Sequence, residues 1–290
     1  MNTLRQYVAE ARAKKVAIGH FNFSNIEGLY AIARAARTLN VPVIVGLSEG
    51  EEEAIGAHAA VALVKTIREQ WNMPIFLNAD HHYSFATVKL CIDAGFDAVI
   101  YDGAKLPFEE NAVIAKQCVD YARQVTRETG RDILVEVELG YIGEGSMMRD
   151  IAPEGVTFVT SPQDATRFMQ ETGADMLAPA VGTFHGMLKV GTKPRLNIES
   201  IQALTKSLDV PLVLHGGSGN DADFALAIDA GIAIVHVNTE IRRAYTDSLR
   251  SWLATHPDDI APYKYGSNAS LAMESVITQK LKMFNNIPLA

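Results

Sequence analysis

Short runs of apolar and β-branched residues recur along this chain, and most are followed by a longer segment whose apolar positions return every three or four residues. The first run, VAIGHFNF (16–23), precedes a helical pattern over 26–39. VPVIVGLS (41–48) precedes a helix near 52–70, MPIFLNAD (73–80) one near 84–94, and DAVIYDG (97–103) a long one near 108–129. DILVEVELG (132–140) leads through a Gly- and Met-containing stretch to a helix near 162–172. DMLAPAVG (175–182) precedes a helix near 198–208, VPLVLHGG (210–217) one near 220–230, and IAIVHVNT (232–239) one from about 240. The runs suit strands buried on both faces, and the longer segments suit amphipathic helices.

Strands that alternate with helices form a parallel sheet with crossover helices. Eight such units within 290 residues favour a closed (β/α)8 barrel over an open doubly wound sheet. The expected class is therefore α/β: a TIM barrel in one domain spanning residues 1–290, with an extra C-terminal helix near 267–285. The first fifteen residues, MNTLRQYVAEARAKK, read as an amphipathic polar helix, without the apolar stretch of a signal peptide. No run reaches the roughly 20 apolar residues of a membrane helix.

Composition narrows the partners. A net charge of −8 argues against a nucleic-acid footprint, which is normally basic. Anions remain possible ligands, held by backbone amides and helix N-termini. Cys91 and Cys118 fall in helical patterns and belong to no CxxC motif, which fits a reduced, cytoplasmic protein.

The chemistry gathers where the strands end. His81 in NADHH, His185 in GTFHG and His215 in LHGGSG each follow an apolar run, far apart in sequence. A barrel places its active site at the C-terminal ends of its strands, so the three converge there. Three imidazoles with a fourth position open suit a catalytic zinc ion. Asp80 stands beside the first, as an acid must to move protons near a polarised carbonyl. Neighbouring strand residues point to opposite faces, so only one of His81 and His82 serves as a ligand.

Asp102 ends the fourth strand, and Glu136 and Glu138 share one face of the fifth. HGGSG (215–219) and VNTE (237–240) suit a phosphate: glycines let backbone N–H groups approach, Ser218 and Thr239 donate hydroxyls, and a helix starting near 220 directs its positive end at the anion. The acidic run Glu51–Glu53 reads as a charged first helical turn. YIGEGSMMRDIAPEGVTFVT (141–160) is long for a plain connection and reads as a mobile loop at the site.

Together, AIGHFNFSNIEGL, NADHH, YDGAKLPFEEN (101–111), VEVELGYIG (135–143), GTFHG, KPRLN (193–197) and LHGGSG resemble the class II, zinc-dependent ketose-bisphosphate aldolases, over nearly the whole chain. The resemblance implies reversible retro-aldol cleavage of a ketose phosphate, with fructose-1,6-bisphosphate first and tagatose-1,6-bisphosphate as the alternative. The products are dihydroxyacetone phosphate and an aldehyde such as glyceraldehyde 3-phosphate. It implies that His81, His185 and His215 bind zinc, with Asp102 and Glu138 as candidates for an alternative or second metal position. It makes Asp80 the acid/base at the aldehyde oxygen and Glu144 the nearest acidic candidate for exchanging the C1 proton. It puts Ser48, Gly186, Lys189, Gly216, Ser218, His236, Asn238 and Thr239 around the substrate, with a monovalent cation (Na+ or K+) beside its phosphate. It also implies a homodimer or homotetramer.

The chain departs from that pattern in several places. His236 stands where the family usually has Asn, Tyr263 of APYKYG where it usually has Arg, and Phe184 where a small residue is usual. Pro179 sits inside the sixth strand, and the loop lacks the usual paired acids after its glycines. Two rivals stay open: a zinc barrel with another reaction, and a non-catalytic sugar-phosphate-binding barrel.

Overall fold

In the computed structural model, which describes residues 2–156, 159–191 and 193–289, eight parallel strands close into a barrel. They are β1 (Ile18–Asn22), β2 (Val43–Leu47), β3 (Ile75–His82), β4 (Ala98–Tyr101), β5 (Leu134–Leu139), β6 (Met176–Pro179), β7 (Leu212–Leu214) and β8 (Ile232–His236). Closure comes from β1 pairing with β8, Ile18 beside Ile234 and His20 beside His236. Pro179 does not break β6, because it is the strand's last residue.

The helices are α1 (Leu4–Lys14), α2 (Ile26–Leu39), α3 (Glu49–Ile55), α4 (Ala57–Trp71), α5 (Phe85–Ala94), α6 (Phe108–Thr129), α7 (Pro162–Thr172), α8 (Ile198–Ser207), α9 (Phe224–Ala230), α10 (Thr239–Thr255) and α11 (Pro262–Phe284). No described helix is long and apolar enough to cross a membrane.

Three elements differ from the sequence expectation. The helix expected over 52–70 is two, α3 and α4, divided at Gly56, whose φ of 87° a side chain would strain. The helix expected from 220 begins at Phe224, after a 3-10 turn at Asp221–Asp223. The last helix starts five residues early, at Pro262, because proline suits a first helical turn.

Two cores result. Strand residues facing outward pack under the helices, among them Val43, Val45, Ile75, Leu77, Val135 and Val137. Those facing inward form a second cluster at the barrel floor: Ile18, Ile44, Phe76, Ala98, Leu134, Met176, Val213 and Ile234, plugged by Leu4, Val8 and Ala11 of α1. Side chains of a strand repeat every second residue. Two positions beyond the apolar layer, the same inward faces therefore carry His20, Asn78, Glu136 and His236, and two further Asn22, Asp80 and Glu138. An apolar floor thus supports a polar upper layer. Gly46 belongs to this layer, and a Cβ there would stand 2.3 Å from His20 Cε1. Only glycine leaves room for that imidazole.

Candidate active site and metal centre

β3 supplies two adjacent inward side chains, which a regular strand cannot do. Its pairing with β4 shifts register between Ala79 and His82, and His81 takes a φ of 52°. This irregularity turns both Asp80 and His81 toward the cavity. His82 goes into the outer core, its Nε2 lying 3.4 Å from Cys91 Sγ.

His81, His185, His215 and Glu138 each offer a ligand atom within 4.8 Å of the others. Ring centroids are 4.7 Å apart for His81–His185 and His81–His215, and 5.9 Å for His185–His215. Carboxylates hold the rings in place. Asp102 Oδ2 is 2.8 Å from His81 Nδ1, and Glu136 Oε1 is 2.7 Å from His215 Nε2. Three buried atoms of the cluster form no hydrogen bond: His185 Nε2, His215 Nδ1 and Glu138 Oε2. Buried polar atoms are rarely left so unless they serve something else. A zinc ion fits this donor set, through His81, His185 and His215, with Glu138 at hand.

The three imidazoles differ in charge. Burial, then the like charges of His81 and His215, hold His185 far below the usual imidazole range, so it is neutral. Burial would also lower His81 and His215, but neighbouring carboxylates outweigh it, lifting His81 to about 9 and His215 well above its ordinary range. Burial alone would raise the Asp80 carboxyl; His81, His236 and His20 reverse this and hold it well below the carboxylate range. Asp80 is therefore ionised. Asn22 Nδ2 donates to its Oδ2 at 2.8 Å, and Oδ1 has no hydrogen-bond partner.

The cavity above this cluster is lined by Ser48, Asp80, His81, Asp102, Glu144 and His185, and across from them by Gly186, Gly216, Ser218, His236, Asn238 and Thr239. Among the anticipated substrate contacts only Lys189 lies elsewhere. It faces an adjoining cleft, its Nζ 3.1 Å from Asp150 Oδ2. α10, which begins at Thr239, also meets the glycine turn, its Glu240 N–H donating to Ser218 Oγ at 3.5 Å. Glu144 points at the cavity but pairs with Lys105 at 2.5 Å. Its loop is tied down by the two-residue strands Met148–Arg149 and Met187–Leu188, and Arg149 Nε donates to His185 O at 3.0 Å. Thr157 and Phe158, near the end of the loop, lie outside the described residues.

Several contacts of functional residues escaped the sequence reading. Glu136 orients His215, although it differs from Glu138 by nothing in local pattern. His20 stacks on His236, with centroids 3.6 Å apart and planes 4° apart. Burial pulls His20 down to about 4 and His236 well below its ordinary range, so the stacked pair is neutral. Glu51 does lie in the first turn of α3, but it is buried. It is 5% exposed and accepts from Asn22 Nδ2 at 2.7 Å and from the N–H and hydroxyl of Ser48, and it pairs with Arg242. It thereby fixes the residue that holds Asp80.

A family model described as "Fructose-bisphosphate aldolase class-II" matches residues 2–287. A Geobacillus stearothermophilus protein named fructose-bisphosphate aldolase is 35% identical over 288 residues, 98% of this chain and 96% of its own. A Bacillus subtilis protein named probable fructose-bisphosphate aldolase is 34% identical over 98% of this chain and 97% of its own. The crystal structure of the YdjI aldolase from Escherichia coli K12 superposes with a TM-score of 0.81 at 28% identity, covering 97% of this chain and 96% of that one. The barrel, the histidine cluster at its mouth and these full-length matches place the chain in the class-II fructose-bisphosphate aldolase family, whose members are zinc-dependent lyases.

Proposed function

We propose that the chain cleaves fructose-1,6-bisphosphate reversibly to dihydroxyacetone phosphate and glyceraldehyde 3-phosphate. The observation that carries this reading is the meeting of an ionised, half-satisfied Asp80, three imidazoles and a glycine turn in one cavity. Bound zinc would polarise the ketose carbonyl and stabilise the negative charge left on the three-carbon fragment when C3–C4 breaks.

Asp80 works at the C4 oxygen. In cleavage its Oδ1 takes the hydroxyl proton as the C3–C4 electron pair withdraws to C3; in condensation it returns that proton to the aldehyde oxygen. Asn22 and Glu51 keep it aimed. Glu144 exchanges the C1 proton of the three-carbon fragment, once it leaves Lys105. Gly216, Ser218 and Thr239 receive the phosphate beside the N-terminus of α10, and Ser48, Gly186, Asn238 and His236 border the remainder of the substrate. Lys189 enters only through the adjoining cleft. Asp102 acts by holding His81, while Glu138 is the carboxylate free for an alternative metal position. A positive charge beside the phosphate completes the balance. The assembly proposed is a homodimer or homotetramer, and the two buried, unpaired cysteines fit the cytoplasm.

Condensation of dihydroxyacetone phosphate with a panel of aldehydes tests this. Glyceraldehyde 3-phosphate is expected to react fastest. Equal, negligible condensation with every aldehyde would refute it and favour a sugar-phosphate binder.

A further inference from the structure

Lys193 is 7% exposed, yet no carboxylate pairs with it among the described residues. Its ammonium donates to Phe184 O at 2.5 Å and Gly216 O at 2.6 Å, and reaches Thr183 Oγ1 at 3.4 Å. The face of Phe184 covers it, with Nζ 4.8 Å from the ring centroid. Its stem runs beneath the glycine turn, with Cδ 3.6 Å from where a Cβ on Gly219 would stand. Two carbonyl oxygens and a hydroxyl converging on one point make a cradle for a monovalent cation, since neutral oxygens replace a hydration shell. Here a side chain fills that cradle. A buried ammonium without a carboxylate is costly, and it persists where its charge is used. Directly above it, Gly216 and Ser218 face the cavity.

We infer that Lys193 is the built-in cation of the phosphate subsite, so that this chain binds a phosphate ester without an added Na+ or K+. The inference rests on the proposed placing of the phosphate over Gly216 and Ser218. It also gives Phe184 a reason: a small residue there would leave the ammonium uncovered. Burial draws Lys193 down to about 7, Glu240 opposing this and Arg149 adding to it. A bound phosphate, as an anion, raises it again.

The test uses zinc-loaded, full-length protein with tetramethylammonium as the only cation, then with K+, Na+ or NH4+. Calorimetry with inorganic phosphate reports the subsite without requiring turnover. The wild type is expected to bind phosphate equally in all four, with an unchanged KM for fructose-1,6-bisphosphate wherever cleavage is seen. Lys193→Met in tetramethylammonium is expected to weaken phosphate binding and raise KM about tenfold or more, with a smaller change in kcat. K+ or NH4+ is expected to restore both, and zinc content to stay constant throughout. A wild type that needs K+ to bind phosphate would overturn the inference, as would a Lys193→Met protein with wild-type affinity in tetramethylammonium. If the variant fails to fold, the cation series on the wild type decides alone. If phosphate binds independently of added cations but no aldol cleavage occurs, the inference stands and the proposed reaction fails.

Discussion

Glu136 Oε1 lies 2.7 Å from His215 Nε2, and both side chains are 1% exposed. The contact decides which nitrogen His215 offers: Nε2 is taken, and Nδ1 is left without a hydrogen bond, turned toward Glu138 and the other histidines. An outer carboxylate of this kind sets ring orientation and strengthens a ligand. Glu136→Ala is therefore expected to weaken zinc binding about 10- to 100-fold, measured by competition with a chelator. Unchanged affinity would mean that His215 needs no such partner.

Asp80 should separate chemistry from metal binding. Asp80→Asn keeps the shape and the contact with Asn22 but removes the base. Zinc content is expected to stay the same while cleavage slows about 10²- to 10⁴-fold. Loss of zinc along with activity would instead make Asp80 part of the metal centre.

Glu51 should behave as a structural hub. Removing its carboxylate leaves Asn22, Ser48, Ser24 and Arg242 without their shared acceptor. Arg242 is partly exposed, so water replaces some of the loss. Glu51→Ala is expected to lower unfolding free energy by about 1–3 kcal/mol in urea titration, and to slow cleavage by loosening Asn22 against Asp80. A stability change below the error of the titration would show that the network carries no weight.

Lys193 predicts a pH dependence. Burial depresses it to about 7, so its charged form is present below that pH and is lost as pH rises through it. Sulfate does not titrate in this range and is the suitable probe. Its affinity for zinc-loaded protein is expected to fall between pH 6 and 8.5 by about tenfold, and the fall is expected to vanish in Lys193→Met. A flat wild-type profile would remove the ammonium from the subsite.

Much of this was legible in the sequence. The eight strand–helix units follow from periodicity, and the polar residues at strand ends follow from where such a barrel keeps its site. His81, His185 and His215 do converge, and Asp80 stands beside them. What escaped detection depends on contacts between residues far apart in the chain. Nothing in KPRLN shows that Lys193 ends beneath Gly216. Glu51 reads only as part of a charged first helical turn, because its burial depends on Asn22 and Arg242. The division at Gly56 is a backbone conformation that apolar spacing does not record. The side-by-side entry of Asp80 and His81 needs a local irregularity in β3, which a rule of alternating faces excludes.

The central claim is that this cavity breaks a carbon–carbon bond with a metal held by His81, His185 and His215. The most direct measurement is cleavage of fructose-1,6-bisphosphate, followed through dihydroxyacetone phosphate, before chelation, after it, and after zinc is restored. Activity is expected to disappear with the metal and to return with it, and in a His215→Ala protein to stay absent after zinc is added. Activity that survives complete chelation, or zinc-loaded protein that releases no dihydroxyacetone phosphate, would contradict the account.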